Sequence, residues 1–259
     1  MTADFTSAAS PLDAEGVQLA LDGLGVRAAQ FWAVLQVETS GCGFLADRRP
    51  TILFERHIFS RRTQGDFDAS HPGISQPQAG GYGQGGGHQY ERLAEAIALD
   101  RRAALESTSW GMGQVMGFNA SAVGYADAET MVAAMCASEA AQVQAMAAFI
   151  AGQGLAGALR SSDWARFARG YNGANYRINN YDTRLAAACD AMDRGTLPDL
   201  DIRTGQLRLS FLGFDPQGVD GVMGKLTRSA MHDFQDQAGI PRSDFFDAAT
   251  LAALAERTT

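Results

Sequence analysis

With 259 residues, 46% of them hydrophobic and 19% charged, the chain is long enough for one substantial globular domain and one small one. Its net charge of −8 argues against a protein that grips a phosphate backbone, so nucleic acid is not an expected partner. No stretch reaches the roughly 18 uninterrupted apolar residues of a membrane span, and residues 1–16 lack the basic start and apolar core of a signal peptide, so a cytoplasmic stage before release is expected.

In chain order, Ser10-Pro11 is a cap-and-first-turn pair that predicts a short helix to about Asp22, ending at Gly23 or Gly25. Val26 to Val37 is apolar on nearly every face, which predicts a helix buried inside a domain. Glu38 falls in its last turn, and Gly41 and Gly43 lead the chain out. A helix C-terminus carries partial negative charge, and apolar surroundings disfavour a charged carboxylate. Both effects raise the pKa of Glu38, as a general acid requires. The alternative is a solvated helix-end glutamate.

Thr51-Ile52-Leu53-Phe54 reads as a short buried strand that delivers a second carboxylate, Glu55. Its alternative is an ion pair with Arg48, Arg49, Arg56 or Arg61. Two carboxylates flanking a cleft is the arrangement of glycoside hydrolysis. Cys42, Cys136 and Cys189 are an odd number at wide spacings and read as reduced thiols. Cys42 as a nucleophile with His57 or His88 as base is the minor alternative to a small buried thiol. The histidines at 57, 71, 88 and 232 are scattered with no His-Glu-x-x-His pattern, so neither a metal nor another cofactor is expected.

Residues 66–88 predict a long loop with six glycines in the eight residues 80–87, a segment suited to a flap or groove edge. Gly81, Gly83 and Gly86 satisfy a GxGxxG spacing by chance, since no strand precedes them. A helix is expected over 89–106. Ser107 to Asn119 follows as a glycine-dense turn in which Gln114 offers a donor and an acceptor. A long Ala- and Met-rich helix is expected over 128–151, and another after Ser162 and Asp163. The segment 168–176 then gathers Tyr171, Asn172, Asn175 and Tyr176, rings and amides suited to sugars. A helix over 179–194 closes the domain at Gly195. Residues 196–205 read as a linker. Residues 206–259 carry two similar turn-and-helix segments, a degenerate repeat that forms a small domain.

The segments VETSG around Glu38, ILFERHIF around Glu55, SWGMGQVMG and ARGYNGANY occur in the order seen in the N-acetylmuramidase family of phage and prophage endolysins, within the lysozyme-like fold. SWGMGQ also resembles a glycine-methionine-glutamine motif of goose-type lysozymes and soluble lytic transglycosylases, and ARGYNG their alanine-tyrosine-asparagine motif. The resemblance spans about residues 13–194. Residues 220–227, DGVMGKLT, with Phe234-Gln235, resemble the turn and helix of a three-helix peptidoglycan-binding domain, although residues 244–247 replace its second glycine turn.

This resemblance implies a mainly α fold: a lysozyme-like catalytic domain over 1–195 with a small β element, a linker over 196–205, and a peptidoglycan-binding domain over 206–259. It implies a monomer that acts on peptidoglycan glycan strands and cleaves the β-1,4 bond between N-acetylmuramic acid and N-acetylglucosamine. Glu38 would be the general acid and Glu55 the second carboxylate. Ser109, Gln114, Tyr171, Asn172 and Tyr176 would line the cleft. The alternatives are a lytic transglycosylase, which can work with one carboxylate, and a wall-binding protein without catalysis.

Overall fold

The computed structural model describes residues 5–39, 41–173 and 176–258. Helices α1 (Ala14–Leu24) and α2 (Ala28–Glu38) precede strand β1 (Ile52–Phe54), and α3 (Arg56–Arg62), α4 (His88–Leu99) and α5 (Arg101–Glu106) lead to β2 (Thr108–Trp110) and β3 (Val115–Met116). The three strands form one antiparallel sheet in the order β1-β2-β3, with Leu53 opposite Ser109 and Trp110 opposite Val115. After a 3-10 segment, Gly117–Val123, come α6 (Ala128–Ala137), α7 (Glu139–Gly152), α8 (Ala156–Arg160), α9 (Trp164–Asn172) and α10 (Tyr181–Arg194). The C-terminal unit is α11 (Leu200–Phe211), α12 (Lys225–Ala238) and α13 (Ala248–Arg257).

Helix α2 is buried as its sequence predicts: every residue from Ala29 to Leu35 is inaccessible. Phe31, Trp32, Val34 and Leu35 pack with Val143, Met146, Ile150 and Phe167 of α7 and α9, and each such side chain contributes roughly 1.5–3 kcal/mol by leaving water. A second cluster on the sheet side joins Phe54, Phe59, Leu93, Trp110 and Met135. The glutamate at the end of α2 and the sheet therefore stand on separate cores.

Several boundaries differ from the sequence expectation, each for a local reason. The first helix is capped by Asp13, whose carboxylate accepts from Gly16 N at 2.8 Å, while Ser10 pairs with Ser138 in a bridge. Asp100 divides the helix expected over 89–106, because its side chain caps α5 at Ala103 N. Ser138 divides the helix expected over 128–151 in the same way. Within the glycine-dense stretch 107–119, strands β2 and β3 form a β-hairpin, and Gly111 and Gln114 both take left-handed backbone at its tip. The linker expected over 196–205 is helical from Leu200, since Asp199 accepts from Asp201 N and Ile202 N.

The C-terminal unit has its own core of Leu209, Met231, Phe234, Phe246 and Leu254. It is also joined to the first unit by a small apolar seam of Ala9, Phe44, Leu207 and Val219. At its centre Arg203 of α11 is 2% exposed and donates to Glu139 of α7 at 2.7 Å, to Val219 O at 3.0 Å and to Gly41 O. Glu139 is fully buried and accepts in addition from Leu12 N and Gly43 N, each at 3.0 Å. A cavity of about 350 Å³ opens beside this seam, lined by Trp32, Leu35, Met192, Pro198, Arg203 and Val222 among others. Neither Glu38 nor Glu55 lines it.

Candidate active site

Glu38 is the last residue of α2 and is half-buried. Thr39 caps the helix, its hydroxyl donating to Leu35 O and accepting from Gly41 N, so the backbone turns away directly behind the carboxylate. Asn172, the last residue of α9, donates its amide to Glu38 Oε1 at 2.9 Å. Burial raises the pKa of Glu38 above the ordinary carboxylate range. The Asn172 hydrogen bond and the positive charge of Arg184 pull the other way, with less weight. The site thus keeps a proton on Glu38 at higher pH than a solvated glutamate would.

Glu55 leaves β1 as the residue before α3. One carboxylate oxygen lies 3.1 Å from His57 Nδ1, off the axis of a hydrogen bond. The phenol of Tyr82, from the glycine-rich loop, has its pKa raised by burial first and then by the negative charge of Glu55. The loop is held in place by Gln89, whose amide donates to Tyr82 O at 2.7 Å and Gln84 O at 2.6 Å, while its Oε1 accepts from Phe54 N. Residues 66–88 are therefore an anchored edge over the second carboxylate. Gln89 carried no sequence signal, since its role depends on reaching back 35 residues to β1.

The expected cleft residues divide into two groups. Asn172 meets Glu38. Tyr171 stacks on Phe167 with centroids 5.4 Å apart and donates to Gly113 O at 2.9 Å, so it braces the β2–β3 hairpin. Ser109 and Gln114 are committed to one another: Ser109 Oγ donates to Gln114 Oε1 at 2.8 Å, and the Gln114 amide donates to Thr51 O and Gly111 O. Their polar atoms hold the hairpin tip. Tyr176 is buried in the core with its hydroxyl accepting from Arg177 Nε, so its ring face is covered and unavailable for stacking on a sugar. Asn175 lies outside the described residues.

The Cys42 environment favours the neutral thiol over a thiolate: burial, then the charge of Glu139, pushes its pKa up to about 12, and its Sγ lies 3.1 Å from Phe44 O. Among the described residues no group of three or more His, Cys, Asp or Glu side chains is placed to share a metal ion.

A buried helix that ends in a half-buried acid, set beside a small antiparallel sheet in a mainly helical domain, is the architecture of a lysozyme-like glycoside hydrolase. The chain belongs to the N-acetylmuramidase family, whose model matches residues 27–193, and a peptidoglycan binding domain model matches residues 198–254. A solved structure described as that of the Burkholderia AP3 phage endolysin is 43% identical, with a TM-score of 0.66 over 70% of this chain and 70% of that one. No match is found among curated proteins. The activity is accordingly that of a glycoside hydrolase acting on peptidoglycan, and peptidoglycan is the partner of the C-terminal unit.

Proposed function

We propose that the chain is an endolysin that cleaves the β-1,4 bond between N-acetylmuramic acid and N-acetylglucosamine, with Glu38 as general acid and Glu55 as the second carboxylate. The observation that carries this is the Glu38 environment: half-buried at the end of a helix whose residues 29–35 are all buried, with its pKa raised by burial and its carboxyl oriented by Asn172. A protonated Glu38 donates to the glycosidic oxygen as the bond breaks. Glu55, its side chain stemming from the end of the sheet, positions the incoming water or stabilises the oxocarbenium-like transition state. Asn172 keeps the acid in one orientation.

Residues 1–195 form the catalytic module, and the wall-binding module begins with the segment leading into α11. The protein works as a monomer without nucleic acid. It resides in the host cytoplasm until lysis and then reaches the wall, in keeping with an endolysin relative at 43% identity. The test is mass spectrometry of products from purified peptidoglycan with wild type, Glu38→Gln and Glu55→Gln. Reducing-end muramic acid from the wild type, lost in both variants, is expected. Anhydro-muramic products that survive in Glu55→Gln would make the enzyme a transglycosylase, and full activity in Glu38→Gln would refute the assignment.

A further inference from the structure

Beside Glu55 lies a group of arginines that the cleavage chemistry does not use. Arg56 follows Glu55 directly, and its guanidinium rests against the backbone of Gly81: a Cβ there would stand 2.6 Å from Arg56 Cζ and 2.8 Å from both terminal nitrogens. Arg92 of α4 reaches the same loop. A Cβ on Gly83 would lie 3.7 Å from its Nη1, its Nη2 donates to Gly73 O at 3.0 Å, and its guanidinium carbon sits 5.7 Å from the centre of the Phe54 ring. Each arginine buries an Nε with no hydrogen-bond partner, and Glu55 Oε2 and His57 Nδ1 on the same edge are likewise buried without one.

Two half-buried cations close enough to repel are costly in a protein of net charge −8 that has carboxylates to spare. The pKa of Arg92 falls through burial first and then through the charge of Arg56, with Glu95 opposing. The chain elsewhere pairs arginine with carboxylate, as at Arg101–Glu129 and Arg242–Asp236. Here the glycine loop, with left-handed backbone at Gly80, Gly81 and Gly83, wraps around the guanidiniums instead. Planar guanidinium forks match carboxylates in geometry and charge.

We propose that Arg56 and Arg92, framed by the backbone of residues 80–83, form a carboxylate-binding subsite that takes an acidic group of the peptide stem on a peptidoglycan strand whose glycan lies at Glu55. It rests on the assignment of this cleft to the glycan. Only stem carboxylates reach such a position while the sugars occupy the cleft, because the stem branches from the muramic acid. The subsite selects strands that still carry peptides over bare glycan, and glycine suits position 81 because its backbone is left-handed and a side chain there would displace the Arg56 guanidinium.

The experiment uses the full chain carrying Glu38→Gln, so that bound fragment is not turned over, and titrates two probes by calorimetry. One is a disaccharide bearing its acidic stem tripeptide, and the other is the same molecule with the peptide carboxylates amidated. The acidic probe should bind more tightly. Arg56→Gln and Arg92→Gln should each weaken it by about tenfold or more, the scale of a charge-assisted contact, and should leave the amidated probe within about twofold. Arg92→Lys should fall between. Equal weakening of both probes would assign the arginines to fold support and overturn the subsite. So would a parent that does not distinguish the two probes, a comparison that needs no arginine variant to fold. Cleavage is scored separately on the wild type against Glu38→Gln, so a failed catalytic assignment and a failed subsite give different results.

Discussion

The seam between the two modules is fixed by one ion pair whose removal has a calculable cost. Arg203→Met deletes the guanidinium that bridges Glu139, Gly41 O and Val219 O, while Glu139 remains buried with only Leu12 N and Gly43 N as donors. Both side chains are almost wholly inaccessible, at 2% and 0%, so solvent screening does not soften the loss. Leaving one partner of such a pair uncompensated costs about 3–5 kcal/mol. For a protein of this size that is roughly a 6–20 °C fall in Tm. Glu139→Gln in the same background removes the stranded charge and should recover roughly 1–2 kcal/mol, giving a measurable coupling in a double-mutant cycle. Differential scanning calorimetry is the assay, because a shared buried pair makes the modules melt together. Arg203→Met should separate the endotherm into two, with the small module of α11–α13 melting first. A single transition with Tm within 2 °C of wild type, a shift of roughly 1 kcal/mol or less, would refute the view that this pair joins the modules.

Four further outcomes are expected. Glu38→Gln should lower kcat on soluble glycan fragments by about 10²–10⁴ with little change in Tm, and a loss under tenfold would show that another group supplies the proton. Asn172→Ala removes a hydrogen bond that favours the charged form, so the pKa of Glu38 should rise further and the alkaline limb of kcat should move to higher pH; a shift to lower pH would contradict it. Because Glu38 has a raised pKa in the folded state, the native state binds the extra proton, and its contribution to stability falls as pH rises from the unfolded pKa through the folded one. Wild type should therefore lose more stability than Glu38→Gln across that window in urea titrations, and parallel pH profiles would count against it. Gly41→Ala places a Cβ 2.7 Å from Val219 O at a left-handed backbone position, so it should destabilise the seam by about 1–3 kcal/mol, read as a lower Tm.

What the sequence could reveal was set by how local each signal is. Helix α2 was legible because its apolar residues cover every face, and Glu38 because a buried helix that ends in a carboxylate with glycines behind it is a pattern within fifteen residues. The caps at Asp100 and Ser138 were as local, yet apolar periodicity continues through them and masks the break, so two helices read as one in each case. Ser109, Gln114 and Tyr176 show where residue type is ambiguous: an amide, a hydroxyl and a phenol suit a sugar, and they equally suit a hairpin tip or a core that needs its own backbone satisfied. Gln114 is spent on Thr51 O, 63 residues away, a demand that no window of sequence contains. The seam is the extreme case. Arg203 sits in a stretch rich in turn formers and charge that reads as solvated linker, and Glu139 lies in an alanine-rich helix where one acidic residue reads as a first-turn charge. Each looks exposed alone. Only a fold that brings α11 against α7 makes both buried, and once buried neither can lose its partner without stranding a charge.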